Sequence, residues 1–194
     1  MIAAPPGLEP LAADATWDPG RHLELIPPGR VTMLDEWGPG AAGPTALSAV
    51  AITSPFRFLS DEGVETLQRI CAELEQYAVG DERIPKKVRG SVYRSEFLQG
   101  MAGDVTLAGF LRELAQALLE PHPVGHHAIH VNYAPDDLEL NVDQRHRDVI
   151  SFDHVLMVND PPPMRGGRFE YFLGSVEEGR APLESGAGCL RIAS

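Results

Sequence analysis

Helix-type and strand-type patterns occupy separate parts of this 194-residue chain. Two helical patterns lie between residues 60 and 120, and the longer strand-like runs come after Pro123. Parallel strands need a crossover, usually a helix, between them, so this order predicts an α+β fold with a largely antiparallel sheet rather than a doubly wound fold. Hydrophobic residues make up 43% of the chain, which is enough for one domain with a substantial core.

Capping residues and apolar periodicity predict two helices. Ser60 and Asp104 each precede a helical pattern, and their side chains can accept hydrogen bonds from the first backbone N–H groups of a helix. In the first helix, which Gly80 would end, the apolar positions are Val64, Leu67, Cys71 and Leu74. In the second helix, which ends before Pro121, the apolar positions are Leu107, Leu111, Leu114 and Leu118.

Proline and glycine interrupt the first 52 residues too often for a long helix or strand. We expect residues 1–52 to form an irregular arm that packs on the domain or stays mobile, although "HLELIPPGRVTML" could hold two strand pieces around a Pro-Gly turn. The domain then spans residues 53–194, with a helical part at 53–122 and a β part at 123–194. Strand candidates in the β part are "HHAIHVNYA", "VISFDHVLMV", "RFEYFLG" and "GCLRIA".

Charge and composition limit the function classes. A formal net charge of −12 repels phosphate backbones, so general nucleic-acid binding is not expected. No run approaches the roughly 20 apolar residues of a membrane helix, and the N-terminus lacks the basic and apolar regions of a secretory signal. With two cysteines and no CxxC pair, we expect a reduced, cytoplasmic protein.

The strongest chemical signal is a histidine and an aspartate two residues apart, His146 and Asp148, at the start of the run "VISFDHVLMV". Side chains at positions i and i+2 of a strand point to the same face, roughly 6.6 Å apart along the chain. One imidazole nitrogen and one carboxylate oxygen, joined by a second histidine, make the facial triad of non-haem Fe(II) oxygenases. The pair alone is a weak motif, since two polar residues can equally open an ordinary strand.

In its wider context, the segment "VNYAPDDLELNVDQRHRDVISFDHVLMVNDPPPMRGGRFEYF" resembles the first half of the double-stranded β-helix of Fe(II)/2-oxoglutarate-dependent dioxygenases. A strand with an Asn-Tyr pair precedes the HxD motif, and a proline-glycine turn and an aromatic strand follow it. Residues 55–119 also resemble the helical N-terminal part of many members, so the likeness covers about residues 55–175. The resemblance implies a jelly-roll, cupin-like core with N-terminal helices packed on it.

The resemblance also implies a chemistry and its residues. His146 and Asp148 match the first two iron ligands, and Asn132 and Tyr133 fall on the strand that often binds 2-oxoglutarate in the family. Neighbours on a strand face opposite ways, so only one of these two points inward, and Tyr133 is equally well interpreted as a packing aromatic. The implied enzyme is an oxidoreductase that uses Fe(II), 2-oxoglutarate and O2 to hydroxylate a substrate, with succinate and CO2 as co-products.

The family's third iron ligand, a late histidine, and the basic residue after it have no counterpart in this chain. The only histidine after His146 is His154, and an extended strand would hold it roughly 20 Å from Asp148. We therefore expect a β-helix that is partial at the C-terminus. Three explanations remain: a chain that is incomplete at its C-terminus, which we favour; a degenerate, non-catalytic homologue; or a ligand from a partner chain or from His122, His126, His127 or His130.

Two further groups of residues could bind ligands. His126 and His130 share a face in either a helix or a strand and could hold zinc as a pair, although solvated histidines are the more ordinary interpretation. The basic loop "RIPKKVRGSVYRSEF" contains Arg89 and Arg94, either of which could bind the carboxylate of a small anionic substrate. The ordinary interpretation is a solvated loop whose charges offset an acidic surface.

These patterns support three hypotheses of function. The favoured one is a dioxygenase that hydroxylates a small anionic substrate, such as an amino acid derivative or a peptide. The second is a non-catalytic or truncated β-helix homologue that acts as a binding domain. The third is a zinc or other metal hydrolase that uses the histidine cluster.

Overall fold

The computed structural model describes residues 5–37, 46–137, 142–143 and 151–159, and the backbone of residues 170–171 and 191–192. In these ranges the helices are α1 (Pro19–His22), α2 (Asp61–Leu74), α3 (Glu96–Ala102), α4 (Val105–Ala115) and α5 (Gly125–Ala128). Short 3-10 helices cover Leu34–Trp37, Glu75–Tyr77 and Ser91–Tyr93. The strands are β1 (Leu23–Ile26), β2 (Val31–Met33), β3 (Val50–Thr53), β4 (Arg57–Leu59), β5 (Lys87–Val88), β6 (Val131–Asn132), β7 (Glu170–Tyr171) and β8 (Arg191–Ile192).

The described strands form antiparallel pairs, β1 with β4, β2 with β3, β5 with β6, and β7 with β8. The predicted α+β class is thereby confirmed. The two strand pieces expected in "HLELIPPGRVTML" exist as β1 and β2, but they do not pair with each other across the Pro-Gly turn. Strand β1 pairs instead with β4, and β2 pairs with β3, so the two strand pieces belong to two separate two-stranded sheets.

The run "VISFDHVLMV" is not a strand where the structure describes it. Residues 151–159 have no regular secondary structure, so the strand prediction is wrong for that part of the run. Side chains of the helical part engage this segment instead: the Gln68 amide donates to the Val158 carbonyl at 2.9 Å. Leu156 and Val158 pack against the hydrophobic core without a ladder partner among the described strands.

Helix α2 forms where capping and periodicity predicted it. The Ser60 hydroxyl accepts a hydrogen bond from the Gly63 N–H at 3.1 Å and also donates to the Arg21 carbonyl. The helix ends at Leu74 and continues as one 3-10 turn to Tyr77, three residues before Gly80. Its buried apolar face comprises Leu67, Ile70, Cys71 and Leu74.

Helix α4 is capped as predicted but is shorter than its apolar pattern. The Asp104 carboxylate accepts from the N–H groups of Thr106 and Leu107 at 2.9 and 2.8 Å. The helix ends at Ala115 because Gln116 adopts a left-handed conformation with φ of 50°, and Leu118 beyond it is exposed. Helix α3, capped by the Ser95 hydroxyl, begins at the end of the basic loop and corresponds to neither of the two predicted helices.

The N-terminal segment, expected as an irregular arm, lies against the helical part in its described portion. Leu11 is buried, and its N–H donates to the Arg94 carbonyl at 2.8 Å. The Asp14 carboxylate accepts from the Ser95 hydroxyl at 2.9 Å and from the Glu96 N–H, and so adds a second cap to α3. The Trp17 ring packs edge to face on Phe97, a fully buried core residue, with ring centroids 5.0 Å apart.

The helices in the described ranges have at most 14 residues each. None of them has the length and the apolar character that crossing a bilayer requires.

Substituting Leu11 by alanine tests whether the arm is part of the folded core. Because Leu11 is only 7% exposed, we expect Leu11→Ala to lower the free energy of unfolding by about 2 to 3 kcal/mol. Urea titration followed by circular dichroism measures this change. Leu47→Ala is the matched control: Leu47 is 67% exposed, so the change should stay within about 0.5 kcal/mol. Equal effects of the two substitutions would mean that the arm adds nothing to the core.

Candidate functional site

The predicted iron ligands His146 and Asp148 lie outside the described residues. On the N-terminal side, the closest described residue is Asp143, which forms an ion pair with Arg83 of the basic loop at 3.2 Å. On the C-terminal side, Asp153 lies near His130: desolvation and the charge of Arg89 lower the pKa of the His130 imidazole, and the carboxylates of Asp153 and Asp143 oppose that shift. Both flanks of the HxD motif therefore lie on the side of the fold where the basic loop meets His130.

Asn132 and Tyr133 follow the alternation of a strand. Asn132 pairs with Lys87 of β5 and is exposed. Tyr133 turns inward, packs on the hydrophobic core, and donates its hydroxyl proton to the Cys71 carbonyl of α2 at 2.6 Å. Burial raises the pKa of the Tyr133 hydroxyl. These contacts give Tyr133 the packing role that the sequence left open, while Asn132 offers its amide to the surface.

The two arginines chosen from the basic loop point to different neighbours. The Arg94 guanidinium stacks 3.9 Å above the centroid of the Tyr77 ring, and its Nη1 donates to the Glu9 carbonyl at 2.8 Å. These contacts occupy Arg94 in holding the N-terminal arm. The Arg89 Nη1 instead lies 3.3 Å from Nδ1 of His127.

Most other charges of the basic loop are matched by acidic residues. Lys86 forms ion pairs with Glu75 and Asp136, each at 2.8 Å. The buried Lys87 bonds to Asp81, and this hydrogen bond, together with backbone donors from Ile84 and Arg83, lowers the pKa of the Asp81 carboxyl to about 2. The loop therefore has the charge-offsetting role of the ordinary interpretation at these positions.

The histidines of "HPVGHHAIH" form a different group from the one that spacing suggested. Ring centroids of His122 and His127 are 5.3 Å apart, and those of His126 and His127 are 5.1 Å apart. The chain changes from the helical turn α5 to the strand β6 between residues 128 and 131. Neither a continuous helix nor a continuous strand therefore relates His126 to His130, and the expected pairing rule does not apply. Sequence spacing missed the contact of His122 with His127.

His154 packs against aromatic rings. Its ring centroid lies 5.5 Å from that of Phe56 and 5.1 Å from that of Phe58. Burial of the imidazole against these rings lowers the pKa of His154, and Asp153 opposes that shift. The residue as a whole is nevertheless exposed, so His154 packs on these two rings at the surface of the described structure.

Within the part of the chain that the structure describes, no group of three histidine, cysteine, aspartate or glutamate residues is arranged to hold a metal ion. Comparison with known proteins gave no match either: no family model, no curated protein and no solved structure matches the chain.

Replacing Tyr133 by phenylalanine separates a packing role from a ligand-binding role. We expect Tyr133→Phe to lower the free energy of unfolding by about 1 kcal/mol, because the hydrogen bond to the Cys71 carbonyl is lost while the ring stays. Tyr77→Phe is the control, since the Tyr77 ring supports Arg94 and its hydroxyl has no hydrogen bond with the described residues. Weaker binding of 2-oxoglutarate with unchanged stability would instead give Tyr133 a direct role in the site.

The His154 environment predicts a dependence of stability on pH. The folded state holds the pKa of His154 below its ordinary value of about 6.5, so protonation favours the unfolded chain. The stability that the neutral ring contributes is present above pH 6.5 and is lost as the pH falls through the lowered pKa. We expect His154→Phe to reduce the loss of stability between pH 7.5 and pH 5, measured by urea unfolding at both values. An unchanged difference between the two pH values would contradict this account.

Proposed function

We propose that this chain is an Fe(II)/2-oxoglutarate-dependent oxygenase with a double-stranded β-helix core, and that it hydroxylates a small anionic substrate. The observation that carries the proposal is the HxD pair, His146 and Asp148, set before an apolar run, a proline-glycine turn and an aromatic segment. In this proposal, succinate and CO2 are the co-products of the reaction, and the protein acts in the cytoplasm.

The donor set fits Fe(II) in kind. A neutral imidazole nitrogen from His146 and a carboxylate oxygen from Asp148 are two of the three ligands of the facial triad. Bound Fe(II), with 2-oxoglutarate and O2, supplies the oxidative chemistry that hydroxylates a carbon centre. The chain's own part is to position these ligands, to bind the two organic molecules, and to exclude water from the reacting centre.

The described residues around the HxD motif support a site for anions. The ion pair between Arg83 and Asp143 holds the basic loop beside the residue that lies three positions before His146. Arg89, on the same loop, faces His127, and Asn132 presents an exposed amide on β6. In this proposal Arg89 binds the substrate carboxylate and Asn132 contributes to binding 2-oxoglutarate, while Arg94 and Tyr133 support the fold.

The test is metal binding and turnover in matched variants. We expect His146→Ala and Asp148→Ala each to lower the affinity for Fe(II) at least tenfold, because each substitution removes one of the three protein ligands of a facial triad. Each should also abolish succinate release from 2-oxoglutarate. Metal content is measured by elemental analysis after anaerobic reconstitution with Fe(II), and succinate by mass spectrometry. His126→Ala is the control, and it should leave the iron content unchanged.

The outcomes separate the three hypotheses. Iron content that does not respond to His146→Ala, with no succinate released, would contradict the oxygenase and favour a β-helix domain that binds a ligand without catalysis. Metal content that falls in His126→Ala but not in His146→Ala would indicate a site on the histidine cluster, as the hydrolase hypothesis requires.

A further inference from the structure

Part of the N-terminal arm, residues 8–17, lies as a strap against the point where the basic loop enters α3. The Leu11 N–H donates to the Arg94 carbonyl at 2.8 Å, and the Arg94 Nη1 donates to the Glu9 carbonyl at 2.8 Å. The Leu11 side chain is buried in the hydrophobic core. Residue 94 is therefore bonded to the strap through its backbone as well as through its side chain.

Asp14 attaches the strap to the first turn of α3. Its carboxylate accepts hydrogen bonds from the Ser95 hydroxyl at 2.9 Å and from the Glu96 N–H. The Ser95 hydroxyl in turn accepts from the Leu98 N–H at 3.2 Å, so the two side chains cap the helix together. The negative charge of Asp14 also lies at the positive end of the helix dipole. Removing this carboxylate weakens the attachment without opening the core.

Trp17 holds the C-terminal end of the strap. Its ring packs on Gly100 of α3 so closely that a Cβ atom on Gly100 would lie 2.5 Å from the Trp17 Cβ. Its Nε1–H donates to the carboxylate of Asp104, the capping residue of α4, at 2.9 Å. Leu11, Asp14 and Trp17 therefore contact the chain in order between residues 94 and 104.

The 3-10 turn Ser91–Tyr93 joins residue 94 to the segment that carries the histidines. The Arg94 N–H donates to the Ser91 carbonyl at 3.0 Å. The Ser91 hydroxyl, which is fully buried, donates to the Ile129 carbonyl at 2.8 Å. One short turn is thus bonded to the strap through residue 94 and to the histidine segment through its own first residue.

The N-terminal end of this turn is fixed by close backbone packing. The Gly90 N–H donates to the His126 carbonyl at 3.2 Å, and the φ of Gly90 is +67°, a conformation that favours glycine. Gly125 packs so closely on the Tyr93 ring that a Cβ atom on Gly125 would lie 2.7 Å from it. The turn therefore cannot move far while this junction with the histidine segment stays closed.

These contacts form a continuous series from the strap to the junction. Proteins open locally in cooperative units, and a turn that loses its partners at one end is less well held at the other. Energetic coupling of this kind requires an element with two discrete arrangements. Here the two arrangements are the strap docked on residues 94–104 and the strap detached from them.

We propose that the strap is a conformational lock on the basic loop. When it is docked, it holds the turn Ser91–Tyr93, and with it Arg89 and Gly90, against residues 126–129. When it detaches, this junction opens as well. The lock involves neither of the proposed iron ligands, so its failure and the failure of the oxygenase proposal are separate results.

The experiment measures hydrogen exchange of single backbone amides in the full chain by NMR. The Leu11 amide reports docking of the strap, the Gly90 amide reports the junction, and the amide of Ile70, a fully buried residue of α2, reports opening of the whole domain. We expect Asp14→Ala to accelerate exchange at Leu11 and Gly90 by about fivefold, the effect of losing a helix cap, and to leave exchange at Ile70 unchanged.

Glu65→Ala is the matched control for Asp14→Ala. It also removes a carboxylate, but Glu65 is exposed on α2 and has no hydrogen bond or ion pair with the described residues. All three amides should therefore exchange as they do in the wild-type chain.

A second variant tests the coupling in the opposite direction, because a coupling free energy between two sites is reciprocal. Gly90→Ala places a Cβ atom 3.2 Å from the Tyr93 ring in a backbone conformation that disfavours alanine. We expect it to accelerate exchange at Leu11 by about fivefold as well. Gly29→Ala is its control, since a Cβ atom on Gly29 would meet nothing within 4 Å, and exchange at Leu11 should not change.

The proposal is overturned if Asp14→Ala accelerates exchange at Leu11 but not at Gly90, because the strap would then detach without opening the junction. Unchanged exchange at Leu11 in Asp14→Ala would remove the anchor that the proposal requires. Equal acceleration at Ile70 would show that the whole domain opens, and unchanged exchange at Leu11 in Gly90→Ala would show that the two sites are not coupled. Each of these results also overturns the proposal.

Discussion

The buried face of α2 is the contact on which the other described parts of the structure depend. Leu67, Ile70 and Leu74 are at most 3% exposed, and full burial of each such side chain contributes about 1.5 to 3 kcal/mol. The rest of the helix surface anchors separate segments. Gly63 lies against the backbone of His22, and Gln68 bonds to the Val158 carbonyl.

The same helix also determines which way β6 presents its side chains. The Cys71 carbonyl accepts the Tyr133 hydroxyl, which pins Tyr133 inward. Because neighbours on a strand alternate, Asn132 is then directed outward and is exposed. On the opposite flank, Arg69 donates to the Ala13 carbonyl of the N-terminal segment. One amphipathic helix therefore fixes both the arm and the strand on which the candidate ligand-binding residues lie.

The sequence allowed the helix starts to be predicted, because helix capping depends on residues close together in the chain. Ser60 and Asp104 cap helices because a side-chain oxygen reaches the N–H groups two or three residues ahead, a relation contained within four residues. Strand partners are different, since β1 joins residues 23–26 to 57–59 and nothing in either stretch specifies the other. Helix α3 escaped prediction because its seven residues are too few to show a period.

In the candidate site, too, sequence position alone does not predict the role of a residue, because that role depends on contacts with residues distant in the sequence. Arg89 and Arg94 lie five positions apart in one basic loop, and the sequence treats them as equivalent. The left-handed Gly90 and the 3-10 turn Ser91–Tyr93 lie between them, so one guanidinium reaches His127 and the other reaches Tyr77. Sequence spacing does not predict that the two guanidiniums point to different neighbours, because their directions depend on contacts with residues 9 and 127.

The histidines show why residue type alone does not identify the ligand of a site. A histidine binds a metal through an unprotonated nitrogen and an anion through a protonated one, so the chemistry depends on the partner of the other ring nitrogen. Nδ1 of His127 contacts a guanidinium, which only donates, whereas Nδ1 of His122 lies within hydrogen-bond distance of both the N–H and the carbonyl of Val124. The hydrogen bond at one ring nitrogen therefore decides whether the other nitrogen offers a proton or a lone pair, and residue type alone does not reveal it.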